Sequence, residues 1–321
     1  MTPSIYITEC LKNLRHGQPA GIKNGTAADI YRLLLSHKFR KYAVNPEYLE
    51  HIRHAIDLSM KSQEPIKLTI VFGGYKLWRL KESPYVDWAE LFALMYYARW
   101  LLPITAIYTP GVWLDFYSDD VILESMDNIP KQNTEAYKAS FRALLTFIMP
   151  FLPKNLRFTL NCVSDQYALY EDFLTELEEN KKKVVSELGG LPKLSDEQLR
   201  LVELNVHLKP GQAGDPEWRE KVFLIHEAYA RISKRRPYYR TPEKIFVITR
   251  PIKDSIAVGT TKTSVVKFWI GAGALERNGD SYTQHIYSPT QLTAHTFDEE
   301  SADVHGLTGK NFHSIKIQKT L

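Results

Sequence analysis

Two cysteines in 321 residues, Cys10 and Cys162, leave the chain without a CxxC pair. That excludes a disulfide framework and a cysteine-based zinc site, and it fits a reducing compartment. Long hydrophobic runs are missing too. The most apolar stretch, "ALLTFIMPFLP" (143–153), is too short and too broken by proline to span a bilayer. The N-terminus, "MTPSIYITECLKNLRHG", has no apolar core behind a basic start, so a cytoplasmic protein without a signal peptide is expected. A strong charge of one sign is absent. The net charge of +4 and pI of about 8.8 fall short of a dedicated nucleic-acid binder and remain compatible with small anionic substrates.

Cofactor fingerprints are incomplete. "GTTKTS" (259–264) has neither the GK pair nor the preceding glycine of a phosphate loop, and it reads as a turn whose hydroxyls and Lys262 could hold an anion. "GAGALE" (271–276) contains GxG without the third glycine, and no clear βαβ unit follows it. His51 and His54 share a helix with no further ligand near them, and His295, His305 and His313 lie near acids in the tail. No metal and no nucleotide cofactor is expected.

What is present is an ordinary globular composition, 44% hydrophobic and 24% charged, with 12% aromatic residues that suggest a core or pocket rich in Tyr and Trp. Periodicity predicts helices over 26–40, 46–62, 86–102, 134–149, 166–188, 197–204 and 216–233. Strands are predicted at 66–72, 112–118, 121–123, 156–163, 244–249, 254–258, 264–270 and 281–287. The alternation argues for an α/β fold, a Rossmann-like sheet flanked by helices with additional C-terminal strands. The expected organisation is a helical segment over 1–62, an α/β catalytic domain over 63–290 with a helical insertion at about 166–233, and a tail over 291–321 with no strong period, an arm or partly disordered.

The stretch "FGGYKLWRLKESPYVDWAE" (72–90) joins a predicted strand to a predicted helix. Asp87 and Glu90 have the spacing of a capping box, which needs no functional explanation. They also sit beyond a strand end, where ligands bind in α/β sheets, and a carboxylate there can take a proton from an amine. Lys76 follows a Gly-Gly turn and suits a phosphate or carboxylate, although a solvated lysine is the commoner fate. "SKRRPYYRTPEK" (233–244) places five cations around two tyrosines, either a solvated loop or a phosphate- or RNA-binding segment.

In order and spacing these motifs resemble the isocyanide (isonitrile) synthases, grouped with the pyoverdine and dityrosine biosynthesis proteins. That family shows an apolar strand, a short turn ending in lysine, a D-x-x-E helix start, a Y-x-P-G turn and an S-D-G strand end. Here Lys76, Asp87, Glu90, Tyr108, Pro110, Gly111, Ser118 and Asp119 fall on those landmarks, and Lys267 in "VVKFWI" falls on a later lysine. The resemblance covers roughly 60–150 and 225–290. Departures stand at "GGYK", at Asp120 and Val121 in place of glycine and arginine, and at Ile248 and Arg250 in place of serine and histidine. The stretch at about 170–215 is a larger charged insertion than the family pattern.

The resemblance implies a transferase that joins the amino group of an amino acid to one carbon of ribulose 5-phosphate and leaves an isocyanide, in natural-product biosynthesis, with no metal or nucleotide. It assigns Asp87, Glu90, Asp119 and Lys76 as catalytic groups. Lys267, Arg250, Tyr108, Ser118, Tyr75, Trp78 and Tyr85 become substrate-binding candidates, Arg250 by position only. The implied partners are an amino acid and a sugar phosphate, with no membrane and no nucleic acid. An iron- and 2-oxoglutarate-dependent oxygenase is the expected downstream enzyme. Two alternatives stay open: another amino-acid or sugar-phosphate transferase on this fold making no isocyanide, and a non-catalytic RNA- or phosphate-binding protein.

Overall fold

Short runs of β-branched and aromatic residues form the middle of a parallel sheet in the computed structural model, which describes residues 1–16, 24–73, 84–121, 130–190, 195, 216–249 and 252–319. Strands β1 (Ile66–Phe72), β2 (Val112–Ser118), β3 (Leu156–Cys162), β4 (Lys244–Ile248) and β5 (Ile256–Ala257) lie in the order β3-β2-β1-β4-β5, all parallel. The chain steps outward from β1 to β3 and then returns to the other side of β1. The reversal lies between β1 and β4, and the crevice beyond their carboxyl ends is the position where open α/β sheets bind ligands.

Helices α1 (Pro3–His16), α2 (Ala27–Leu34) and α3 (Pro46–Ser62) precede the sheet. Helix α4 (Trp88–Thr105) joins β1 to β2, and α5 (Lys131–Ile148) joins β2 to β3. The return to β4 runs through α6 (Tyr170–Leu188), α7 (Pro216–Ala230) and α8 (Arg235–Tyr239). Of the expected helices, 197–204 lies outside the described residues, as do 122 and 123 of the expected strand at 121–123; Val121 itself is helical.

A second sheet, in the order β7-β6-β9-β8, comes from the C-terminal part: β6 (Ala272–Asn278), β7 (Ser281–Tyr287), β8 (Phe297–Ser301) and β9 (Ser314–Gln318), with α9 (Pro289–Ala294) between β7 and β8. The tail is therefore ordered structure rather than an arm. Ile315 and Ile317 of β9 are buried, and β9 pairs with both β6 and β8. Residues 264–270, expected as a strand, form turns. Phe268 and Trp269 there are buried against Phe72, with ring centroids 5.6 and 5.5 Å away. Aromatic density signalled burial at this place, and periodicity could not tell a plug from a strand. The GxG of "GAGALE" lies at the start of β6 and not in a phosphate-binding turn.

Helix α4 is apolar nearly all round and buried along most of its length, as expected of a helix inside the core. It touches β2 and β3 of the first sheet and β6 and β7 of the second. Its first turn is pinned from the second sheet. A Cβ on Gly273 of β6 would stand 2.5 Å from both Ala89 N and Trp88 C, and the Trp88 indole donates to Ser314 O at 2.7 Å. Gly273→Ala should therefore push β6 away from α4, with a loss of about 1–3 kcal/mol, the usual range for overpacking a tight interior. Urea unfolding of the wild type and the variant measures it; an unchanged midpoint would show that the contact is not tight.

Candidate active site

Strand register decides what faces the crevice. Ile66, Leu68, Ile70 and Phe72 of β1 pair with Val112, Leu114, Phe116 and Ser118 of β2, and Ile70 also pairs with Val247 of β4. These side chains share one apolar face. Its last row, at the carboxyl edge, runs from Ser118 past Phe72 to Thr249, two residues beyond Val247. Ser118 and Thr249 are fully buried, and neither hydroxyl has a hydrogen-bond partner among the described residues. A buried polar atom without a partner is costly, and such atoms are rare in folded proteins. Two of the six such side-chain atoms among the described residues flank the end of β1, where they are candidate contacts for a ligand's polar group.

The N-terminus of α4 stands at this edge. Asp87 caps the helix, accepting from Ala89 N at 2.8 Å, and Glu90 accepts from Asp87 N at 2.8 Å through its Oε2. The expected capping box is present, and it is buried: Asp87 is 4% exposed and Glu90 0%. The Glu90 Oε1 accepts from the Tyr137 hydroxyl of α5 at 2.8 Å. Another capping box in the chain, Thr26 with Asp29 at α2, leaves the Asp29 side chain 39% exposed. Capping alone does not require burial. A buried pair of carboxyls beside orphaned hydroxyls is an arrangement that can hold an amine and move protons.

Asp119 follows Ser118, and its backbone N donates to Phe72 O at 2.7 Å. Its carboxylate is committed to Arg235 of α8, which donates through Nε at 2.8 Å and Nη2 at 2.9 Å, and to the Tyr229 hydroxyl at 2.9 Å. Burial pulls the Arg235 guanidinium down and the Asp119 carboxylate outweighs it, so Arg235 is held well above its ordinary value. Asp119, expected as a catalytic group, has both carboxylate oxygens engaged by internal donors. The next residue, Asp120, is buried and accepts from Lys138 of α5 at 2.8 Å and from Ser164 N at 3.2 Å.

Lys267 lies in the turn segment that carries Phe268 and Trp269. Its carbonyl accepts from Ile270 N and Gly271 N, and its ammonium is 5.7 Å from the Trp269 ring. Tyr85 is 47% exposed and, with Val86, borders a cavity of about 430 Å³ between α5 and residues 306–312. Tyr108 is a correction. It precedes β2, at the opposite edge of the sheet from the crevice, and its hydroxyl donates to Ser59 O and Glu64 O at 2.9 and 2.7 Å. It staples the turn between α3 and β1. Lys76, Tyr75, Trp78 and Arg250 lie outside the described residues.

Four of the five cations of the basic segment 233–244 have internal partners, while Arg236 is exposed. Arg235 is paired with Asp119, Arg240 donates to Asp254 O, Lys234 donates to Gln166 O, and Lys244 donates to Tyr238 O. Two members of the site carried no sequence signal strong enough to select them. Thr249 is a strand-end hydroxyl like Ser118, which was the available hint. Tyr137 reaches Glu90 from a separate helix, a contact that no local pattern encodes.

The orphaned hydroxyls give a direct expectation. Ser118→Ala and Thr249→Val each remove a buried unpaired oxygen, so the free protein should lose no stability and should gain up to about 1–3 kcal/mol. Thermal unfolding of the free protein reads this; a drop of similar size in both variants would mean that the hydroxyls are satisfied in solution.

No family model matches the chain, and no curated protein matches it. Among solved structures, the PvcA protein from Pseudomonas aeruginosa superposes with a TM-score of 0.61 at 14% identity, over 91% of this chain and 99% of that one. Tyrosyl-tRNA synthetases from Archaeoglobus fulgidus and Aeropyrum pernix match with TM-scores of 0.33 and 0.32 at 11% and 10% identity. They cover 63% and 71% of this chain and 50% and 54% of their own, likenesses too slight to argue from. The match to PvcA spans both sheets and shows that the two chains share a fold.

Proposed function

We propose that the protein is an isocyanide synthase-like transferase, acting on the amino group of an amino acid with ribulose 5-phosphate as the carbon donor. What supports the reading is the buried Asp87–Glu90 box at the start of α4, together with the buried hydroxyls of Ser118 and Thr249 at the carboxyl edge of the sheet, which have no partner among the described residues. The order of motifs that resembles the isocyanide synthases supports it, and a fold shared with PvcA over 91% of the chain is consistent with it.

In this reading the amine must lose its proton before it can add to a ketone, and the later elimination needs a base and an acid. Asp87 and Glu90 are the groups placed to hold the ammonium and take its proton. Tyr137 fixes the Glu90 carboxylate by donating to Oε1. Ser118 and Thr249 offer hydroxyls to the substrate oxygens. Lys76, Lys267 and Arg250 are the proposed partners of the phosphate, and Tyr75, Trp78 and Tyr85 the proposed walls of the amino-acid pocket. The alternative transferase reading uses the same site without isocyanide formation. The RNA-binding reading is disfavoured by the internal partners of Lys234, Arg235, Arg240 and Lys244.

The direct test incubates the protein with each amino acid and ribulose 5-phosphate and follows product mass. Formation of an isocyanide is expected; consumption of both substrates into another product selects the alternative transferase, and no consumption at all overturns both enzymatic readings. Cap and catalyst separate at the two carboxyls. Asp87→Asn and Glu90→Gln retain capping side chains and remove charge. At least one is expected to keep its melting temperature and lose on the order of 10²–10⁴-fold in turnover. Near-normal turnover in both would confine the box to a structural part.

A further inference from the structure

The opposite face of the first sheet has its own unexplained group. Tyr117, one residue before Ser118, is fully buried, and its hydroxyl has no hydrogen-bond partner among the described residues. Its ring stacks on Tyr238 at 4.3 Å and lies 6.0 Å from Tyr239. The Tyr239 ring in turn lies 5.6 Å from the Arg235 guanidinium, which has the Tyr229 ring at 4.8 Å. Arg235 spends Nε and Nη2 on Asp119, so its plane and direction are fixed, while Nη1 has no hydrogen bond among the described residues. A partly buried arginine held by a carboxylate and two aromatic rings, with one edge unspent, is pre-organised for a planar or tetrahedral oxyanion. The Tyr117 hydroxyl adds a neutral donor from the neighbouring strand end.

The site also accounts for the charge at the end of β2. Asp119 neutralises Arg235 in the free protein, which makes the cation tolerable in a buried position. Asp120 faces away, to Lys138 of α5, and Lys234 is engaged with Gln166 O and the Tyr167 ring, so neither competes for the same ligand. Asp119 lies against the start of the loop after β1: a Cβ on Gly73 would be 3.3 Å from the Asp119 Cβ. The pair therefore borders the crevice of the proposed reaction.

We propose that Arg235 and Tyr117 form an oxyanion-binding position at the end of β2, with Asp119 as the positioning residue that aims the guanidinium. The ligand group is a phosphate or a carboxylate. Assigning it to the substrate's anionic end rests on the transferase reading above, whereas the site itself does not.

The test is binding without turnover. Titrate the full chain calorimetrically with inorganic phosphate and, separately, with acetate, and repeat with Tyr117→Phe and Arg235→Lys. Saturable one-site binding of at least one anion is expected, with phosphate against acetate distinguishing the two sources. Tyr117→Phe should weaken it by about ten- to a hundredfold, the effect of one lost hydrogen bond to an ion, while leaving the melting temperature unchanged or higher. Arg235→Lys should weaken it at least as much. If neither anion binds, or if Tyr117→Phe binds like the wild type, the proposal is overturned. Should Arg235→Lys fail to fold, the Tyr117→Phe result decides alone. Anion binding that persists in a protein making no isocyanide would sink the reaction and leave this site standing.

Discussion

Two carboxyls taken out of water at the start of one helix set the terms for the rest of the molecule. Burying an ionisable group is expensive unless its oxygens are matched by donors. At Asp87 and Glu90 the matching donors come from the helix's own first turn and from Tyr137. The arrangement survives only if α4 cannot shift, and the second sheet prevents that shift. Close approach of β6 at Gly273 and the Trp88 bond to β9 hold the first turn, while the apolar body of α4 lies in the core. The C-terminal sheet thus contributes to the candidate site by fixing a helix end.

Much of this was legible in the sequence because it is encoded locally. "IKLTIVF", "VWLDFYS" and "SYTQHIY" become β1, β2 and β7 with the expected bounds, since each is a short β-branched or aromatic run closed by turn residues. Asn45 and Pro46 start α3 where cap chemistry places it. The capping box at Asp87 and Glu90 was visible as spacing, but its burial was not, because burial depends on β6 and β9, which follow nearly two hundred residues later. The same limit explains Tyr108. A tyrosine in a turn is recognisable, whereas the carbonyls it meets at Ser59 and Glu64 are set by how α3 approaches β1. It also explains 264–270, where a burial signal was real and the element type was not.

The two faces of the parallel sheet divide the chemistry. One is apolar as far as its last row, where Ser118 and Thr249 break the pattern. The other carries Asp115 at its centre, which accepts from Thr159 and Asn161 at 2.6 Å and from the Tyr238 hydroxyl at 2.7 Å. That network ties α8 to β2 and β3, so the same short helix is anchored twice, by Tyr238 to Asp115 and by Arg235 to Asp119. A five-residue helix has little stability of its own. Its position is dictated by these side chains, which make Arg235 and Tyr238 of the basic segment part of a structural seam.

The consecutive acids at the end of β2 bear on how far the departures from the isocyanide synthase pattern reach. Asp119 follows the last residue of β2, and at Asp120 the chain has already turned helical. Asp119 meets Arg235 of α8, and Asp120 meets Lys138 of α5, each acid paired with its own cation. Burial pulls the Lys138 ammonium down and the Asp120 carboxylate outweighs it, so Lys138 is held above its ordinary value. The acid that stands where the family pattern has glycine is thus compensated inside this chain, by a lysine on α5 and by Ser164 beyond β3. Val121, where the pattern has arginine, is buried. Both changes are absorbed by packing around the strand end rather than by Ser118, Asp87 or Glu90. Of the other departures, Ile248 stands at the end of β4, one residue before Thr249 of the sheet's last row.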